Sequence, residues 1–218
     1  MKLESDGILI DLRPFGERDM VARIFTADFG VLCGMMRGAQ IARTNKPLVG
    51  QFGGAVWNAR LDSQLGTFHW ESEKNLATGL MMRRDTLEYM NCAFALLVAL
   101  VPEREQYGVL YDETISLMQN LNRDSSSGDA YLHWEMALLR ELGYALDLSA
   151  CSGCGVREKL MYLSPRTGRA VCASCGAPYA DKLYKLPLDL SVTRRFLERV
   201  CFAQGIELPV ARRMLKIG

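Results

Sequence analysis

The sequence predicts an α+β chain: a five-stranded barrel at the N-terminus, then an α-helical domain with a zinc-ribbon-like insert. Three observations carry that prediction. Short apolar runs bounded by Gly, Pro, Asp or Asn recur as far as Glu73, the apolar spacing turns helical after Gly79, and two Cys-x-x-Cys pairs stand seventeen residues apart in the last third. The expected boundaries are residues 1–79 for the barrel domain, 80–218 for the helical domain and 151–178 for the four-cysteine insert within it. A domain takes roughly 100–200 residues. At 218 residues and 49% hydrophobic composition the chain can therefore build one large core or two small ones.

Five runs read as strands: Ile8 to Arg13, Met20 to Phe25, Val31 to Met36, Gly53 to Ala59 and Gly66 to Glu71. Gly50, Gly53 and Gly54 flank Phe52, as in a strand that bends sharply at a barrel corner. The segment Gly38 to Pro47 is polar and basic and reads as a loop or one short helical turn. Five strands at this spacing resemble an OB-fold.

Helices are expected over Leu80 to Val101, stopped by Pro102, then Gln106 to Leu121 and Asp129 to Leu142, with Asn122 to Gly128 a polar loop. Gly143 is placed to end the third helix in a left-handed conformation. Ser191 is positioned to cap a helix to about Gln204, and Pro209 to open a last short one. The longest apolar stretch, Asn91 to Val101, is well short of the roughly 18 residues that span a bilayer. Met1-Lys2-Leu3-Glu4 lacks an export pattern, so the chain is expected in the cytoplasm.

Cys151, Cys154, Cys172 and Cys175 have the ligand spacing of one structural Zn²⁺ per chain. Two residues between each pair let both thiolates turn toward one point, and Gly153, Gly155 and Gly176 permit the turns. Lys159 to Val171 reads as two strands joined by Pro165-Arg-Thr-Gly168, the hairpin of a ribbon. Four cysteine ligands leave no open position for water, so the metal would hold structure only. An iron–sulfur cluster is also compatible with four thiolates. Seven cysteines in all, with Cys33, Cys92 and Cys201 in apolar or helical settings, do not make a disulfide framework. Thioredoxin-type redox chemistry is disfavoured, because neither pair is read as starting a helix in a strand-helix-strand unit. His69 and His133 are the only histidines, neither in a nucleophile arrangement, and no phosphate-binding glycine motif occurs, so no catalytic residue is assigned and an enzyme is disfavoured.

The net charge of +1 hides an asymmetry: residues 1–80 hold 9 basic and 9 acidic side chains, residues 81–150 hold 5 and 11, and residues 151–218 hold 12 and 5. Such blocks attract polyanions. No acid lies between Asp28 and Asp62, an interval that contains Arg37, Arg43, Lys46 and Arg60. With Phe52, Trp57 and Trp70 nearby, these are the ingredients of single-strand binding, although barrel aromatics more often fill the core. Arg194, Arg195, Arg199, Arg212, Arg213 and Lys216 form either a second basic face or a solvated surface.

Gly30 to Gln40, Leu138 to Leu148 leading into Cys151, and Tyr162 to Ala170 through Gly176-Ala-Pro-Tyr179 resemble the bacterial RecO recombination mediator family over nearly the whole chain. That resemblance implies an OB-fold followed by a helical domain with a zinc-binding insert. It further implies binding of single- and double-stranded DNA, annealing of complementary strands, and action with RecR to load RecA onto DNA coated by single-strand-binding protein. The helical domain would take the acidic tail of that protein, and the work would be done at the nucleoid. A different class stays open: a zinc-stabilised protein-interaction adaptor without direct DNA binding.

Overall fold

The computed structural model describes residues 1–61, 64–123 and 126–216. Part of the polar loop expected over 122–128, namely Asp124 and Ser125, lies outside the described residues. Five strands, β1 (Lys2–Phe15), β2 (Asp19–Thr26), β3 (Gly30–Met36), β4 (Gln51–Asn58) and β5 (Gly66–Asn75), close a barrel in the order β1-β2-β3-β5-β4. All its pairs are antiparallel except β3 with β5, where Gly34 faces Gly66 and Met35 faces Thr67. β1 pairs β2 along its second half and β4 along its first, so one long strand belongs to both sides of the closure.

Alternation fills the barrel. Leu9, Met20, Ala22, Ile24, Met36, Ala39 and Ala55 form its core, with Leu12, Phe68 and Trp70 packed against it. Trp57 is 1% exposed and donates its indole N–H to the Cys33 carbonyl at 2.9 Å, so this aromatic is core rather than platform. The bend expected near Gly53 is real: the β4–β5 register shifts between Phe52 and Gly53. A Cβ at Gly53 would lie 2.1 Å from the Glu71 carbonyl oxygen. Arg37 to Pro47 contains turns and bends but no helix.

The chain separates into two compact units, residues 1–131 with 209–215, and residues 132–208 with 216–218. In the first, a 3₁₀ turn (Leu80–Met82) leads into α1 (Arg84–Leu100), which packs on β1, and α2 (Gly108–Leu121) follows. Ile8 is fully buried although it alternates with the inward Leu9, and burying such a side chain is worth about 2 kcal/mol. Tyr111 of α2 meets Phe25 of β2 edge-on at 5.6 Å, and burial pushes its phenol up to about 12. α6 (Val210–Met214), opened by Pro209, packs on α1.

α3 (Ser127–Glu141) runs from the first unit into the second. Gly143 follows it at φ +84°, as its position predicts. The second unit continues with β6 (Leu160–Leu163), β7 (Ala170–Cys172), the one-turn α4 (Ala173–Gly176), β8 (Tyr184–Lys185) and α5 (Leu190–Ala203). Its interior holds the fully buried Glu135, which accepts a 2.5 Å hydrogen bond from the Thr193 hydroxyl. The cap of α5 is Asp189, not Ser191: its Oδ1 accepts from the backbone N–H of Ser191 at 2.8 Å and of Val192 at 3.1 Å. Asp and Ser both make good caps, and the one placed to reach the second and third amides takes the role. Among the described residues no helix is long and apolar enough to cross a membrane.

Candidate functional site

The four cysteines converge. Their Sγ atoms all lie within 4.8 Å of one another, and the Cys154–Cys172 pair is at 3.7 Å. A disulfide would need about 2.05 Å, and all four thiols are free. Four ligands about 2.3 Å from a tetrahedral ion stand about 3.8 Å apart, so the donor set fits a thiophilic metal ion, which it could hold.

Local structure builds each half. After Cys151 the chain folds back in a tight knuckle. Gly155 N–H donates to the Cys151 carbonyl at 2.8 Å, and Cys151 N–H to the Val156 carbonyl at 2.8 Å. Gly155 turns the knuckle at φ +77°, which a side chain would strain. The second pair sits where β7 ends: Cys172 is the N-cap residue of α4 and Cys175 lies inside that turn. The sequence reading gave neither pair a helical start, so this is a correction for the second pair. The first pair opens no helix, and the four-thiol convergence remains.

The hairpin between the pairs is β6 against β7, with β8 added on the far edge of β6. Asp147 ties it to the incoming chain, donating its N–H to Gly168 O and accepting from Ala170 N–H, both at 2.8 Å. Hydrogen bonds from Ser149 hold the Asp147 carboxyl below the usual carboxylate range.

Hydrogen bonding within the cluster moves its thiols in opposite directions. The backbone N–H of Cys172 draws the Cys151 thiol down to about 6, and Ser174, with its hydroxyl at 3.2 Å, lowers Cys172. Hydrogen bonding with Cys154, and then with Cys172 and Cys151, pushes Cys175 up to about 12. Crowded thiols resist ionising together, and a bound metal ion reverses that resistance. Ser174 was not assigned from sequence; its only signal was a hydroxyl between the two cysteines of the second pair.

The basic residues meet different fates. Arg37, Arg43, Lys46 and Arg60 are all exposed. Arg37 lines a cleft of about 220 Å³ where the 37–47 segment meets Phe68, His69 and Trp70 of β5, whereas Arg60 lies in the β4–β5 connection and does not line it. On α5, Arg194 pairs with Glu198 at 2.9 Å, Arg195 lies 5.3 Å from the Tyr184 ring, and Arg199 donates to the Pro165 carbonyl beside the Phe196 ring. Arg213 is exposed on α6, but Arg212 is 0% exposed. The expectation that Arg212 contacts DNA is therefore corrected: a fully buried side chain does not present its guanidinium to a phosphate.

A closed five-stranded barrel carrying exposed cations, continued by helices and a four-thiol hairpin, defines a class of small-barrel proteins with a knuckle that could hold a metal ion. Residues 1–73 match the family described as Recombination protein O N terminal, and residues 83–209 the one described as Recombination protein O C terminal. Proteins called DNA repair protein RecO are similar over nearly the full length. The one from Rhizobium rhizogenes is 35% identical over 97% of this chain and 89% of its own. That from Rhodospirillum centenum is 36% identical over 97% and 92%, and that from Cereibacter sphaeroides 36% over 99% and 97%. The chain belongs to the RecO family of DNA repair proteins.

Proposed function

We infer that this chain is a recombination mediator that binds single- and double-stranded DNA and anneals complementary strands. With RecR, it helps load RecA onto DNA coated by single-strand-binding protein. The observation that carries the reading is the exposed segment bearing Arg37, Arg43 and Lys46, within a stretch of sequence free of acids from residue 29 to residue 61. Annealing needs no bond chemistry. Two polyanions repel, and a shared cationic surface that displaces their counterions lowers the barrier to contact. Arg60 and Arg213 in the first unit, and Arg195 and Arg199 in the second, supply further phosphate contacts, and the role is carried out in the cytoplasm at the nucleoid.

Cys151, Cys154, Cys172 and Cys175 hold one Zn²⁺ that shapes the hairpin. Beside α5, a cleft of about 430 Å³ is lined by Tyr144, Arg195, Glu198, Arg199, Ala203 and the 86%-exposed Phe202. Its two arginines outnumber Glu198, which pairs with Arg194, and with Phe202 they support binding of the acidic tail of single-strand-binding protein. DNA and tail would then compete for the same two arginines. The test is a titration of fluorescent single strands across salt, together with an annealing assay. With Arg37, Arg43 and Lys46 all engaged, those three contacts alone contribute about −2 to the slope of log affinity on log salt. A flat response, with no annealing, would leave the protein-adaptor reading instead.

A further inference from the structure

The 37–47 segment does more than carry charge. It is held against the barrel as the wall of a preformed cleft. Gly38 N–H donates to Asp19 Oδ1 at 2.8 Å and Gln40 N–H to the Arg18 carbonyl at 3.0 Å, which pins its start to the β1–β2 turn. Gln51 of β4 clamps its end. Its Oε1 accepts from Leu48 N–H at 3.0 Å and from the Trp70 indole N–H at 3.4 Å, while its Nε2 donates to the Lys46 carbonyl at 3.5 Å. One amide side chain therefore fixes both the loop and an aromatic ring that lines the opposite wall.

The cleft between them is lined by Arg37, Asn45 and Pro47 from the loop and by Phe68, His69 and Trp70 from β5, together with small and apolar residues. Its volume of about 220 Å³ matches the share of liquid taken by about seven waters. That is room for one planar ring system and not for a duplex. Phe68 and Trp70 pack against the barrel core and stay partly accessible, so they present apolar surface without being free to collapse. Asn45 brings an amide with both donors and an acceptor. None of the described lining residues is acidic. An apolar wall, an amide and a guanidinium at the rim, with no carboxylate, suit a heteroaromatic base attached to a phosphate.

We propose that this cleft is a nucleobase pocket. It takes one unpaired base of a single strand, with Arg37 on the neighbouring phosphate, Asn45 on the base edge, and Gln51 as a positioning residue that holds Trp70 and the loop in place. The inference rests on the DNA-binding reading and adds to it: the strand is held by a base as well as by its charge. A paired base is unavailable to such a pocket, so single strands gain a contact that duplexes lack.

The test compares a short thymidine oligonucleotide with the same length of abasic deoxyribose-phosphate, at one salt concentration. Stacking of a base on an aromatic side chain is worth at least about fivefold in affinity. The intact chain should prefer the base-bearing strand by that factor or more. Asn45→Gly, which suits the φ of +51° at that position, and Gln51→Leu should each erase most of the preference. Equal binding of the two strands by the intact chain would overturn the pocket, and so would a preference that survives in both variants. In either case salt-dependent binding of the abasic strand would still uphold the DNA-binding reading. Failure to bind either strand would sink both.

Discussion

Two arginine-bearing regions, the loop of residues 37–46 and the helix α5, look alike in sequence and differ in the fold. The loop carries Arg37, Arg43 and Lys46 on exposed backbone turns. On α5 the same side-chain type is engaged in structure: Arg194 with Glu198, Arg195 over Tyr184, Arg199 on the Pro165 carbonyl. Exposed ion pairs of this kind contribute little stability, but they orient the charge and reduce what is left for a polyanion. Charge counted along a chain overstates the charge a ligand meets. The loop is accordingly the stronger candidate for phosphate contacts, although residues 151–218 hold more cations.

The largest expected effect tests whether the second region depends on the metal centre. Structural thiolate sites contribute about 10 kcal/mol or more of binding free energy to folding. Chelation, or Cys172→Ser, should release one metal ion per chain, seen by elemental analysis, and unfold the β6–β7 hairpin. Arg199 then loses its Pro165 anchor, while the barrel loop should keep its DNA contacts. Simultaneous loss of binding by the loop would break the comparison.

Next comes Arg212→Ala. Removing a fully buried guanidinium should cost about 3 kcal/mol in urea denaturation, with DNA affinity per folded molecule unchanged. A stable variant with weakened DNA binding would return Arg212 to the binding surface.

Reversing Arg37, Arg43 and Lys46 to Glu together should weaken single-strand affinity about 100-fold at low salt and reduce the salt slope by about 2. Reversing Arg194, Arg195 and Arg199 should do less. The opposite ranking would invert the comparison.

The smallest effect concerns how α5 is held. Asp189→Ala should destabilise the chain by about 1 kcal/mol through the lost cap. Partial burial pushes the Asp189 carboxyl up, but hydrogen bonds from Ser191 and Val192 outweigh it and leave it below the usual range. A lowered folded-state value means the cap's stabilisation is present above about pH 4 and fades as pH falls through the folded value. Urea titrations of the parent and the variant should converge in acid; a constant difference down to pH 2 would contradict the assignment.

Much of the barrel was legible because its strand centres are short apolar runs bounded by turn-forming residues, as in Ile8-Leu9-Ile10 or Met20 through Phe25. Strand ends were not: β1 runs from Lys2 to Phe15, beyond its apolar centre, because it is paired on one side by β4 and on the other by β2. β8, two residues long, exists only because β6 offers it an edge. The cap of α5 passed from Ser191 to Asp189 because two equally suitable oxygens were separated only by where the helix began.

The sequence by itself determined the four thiols that could hold a metal ion. Thiolate chemistry is a property of the residue type, and a two-residue gap brings both sulfurs of a pair to one point through local turns alone. Only the tertiary structure decided which cations face solvent, that Trp57 is core, and that Gln51 joins a loop to a ring on another strand. Exposure and contact depend on partners distant along the chain, so a residue's type states what it can do and its surroundings state whether it can do it.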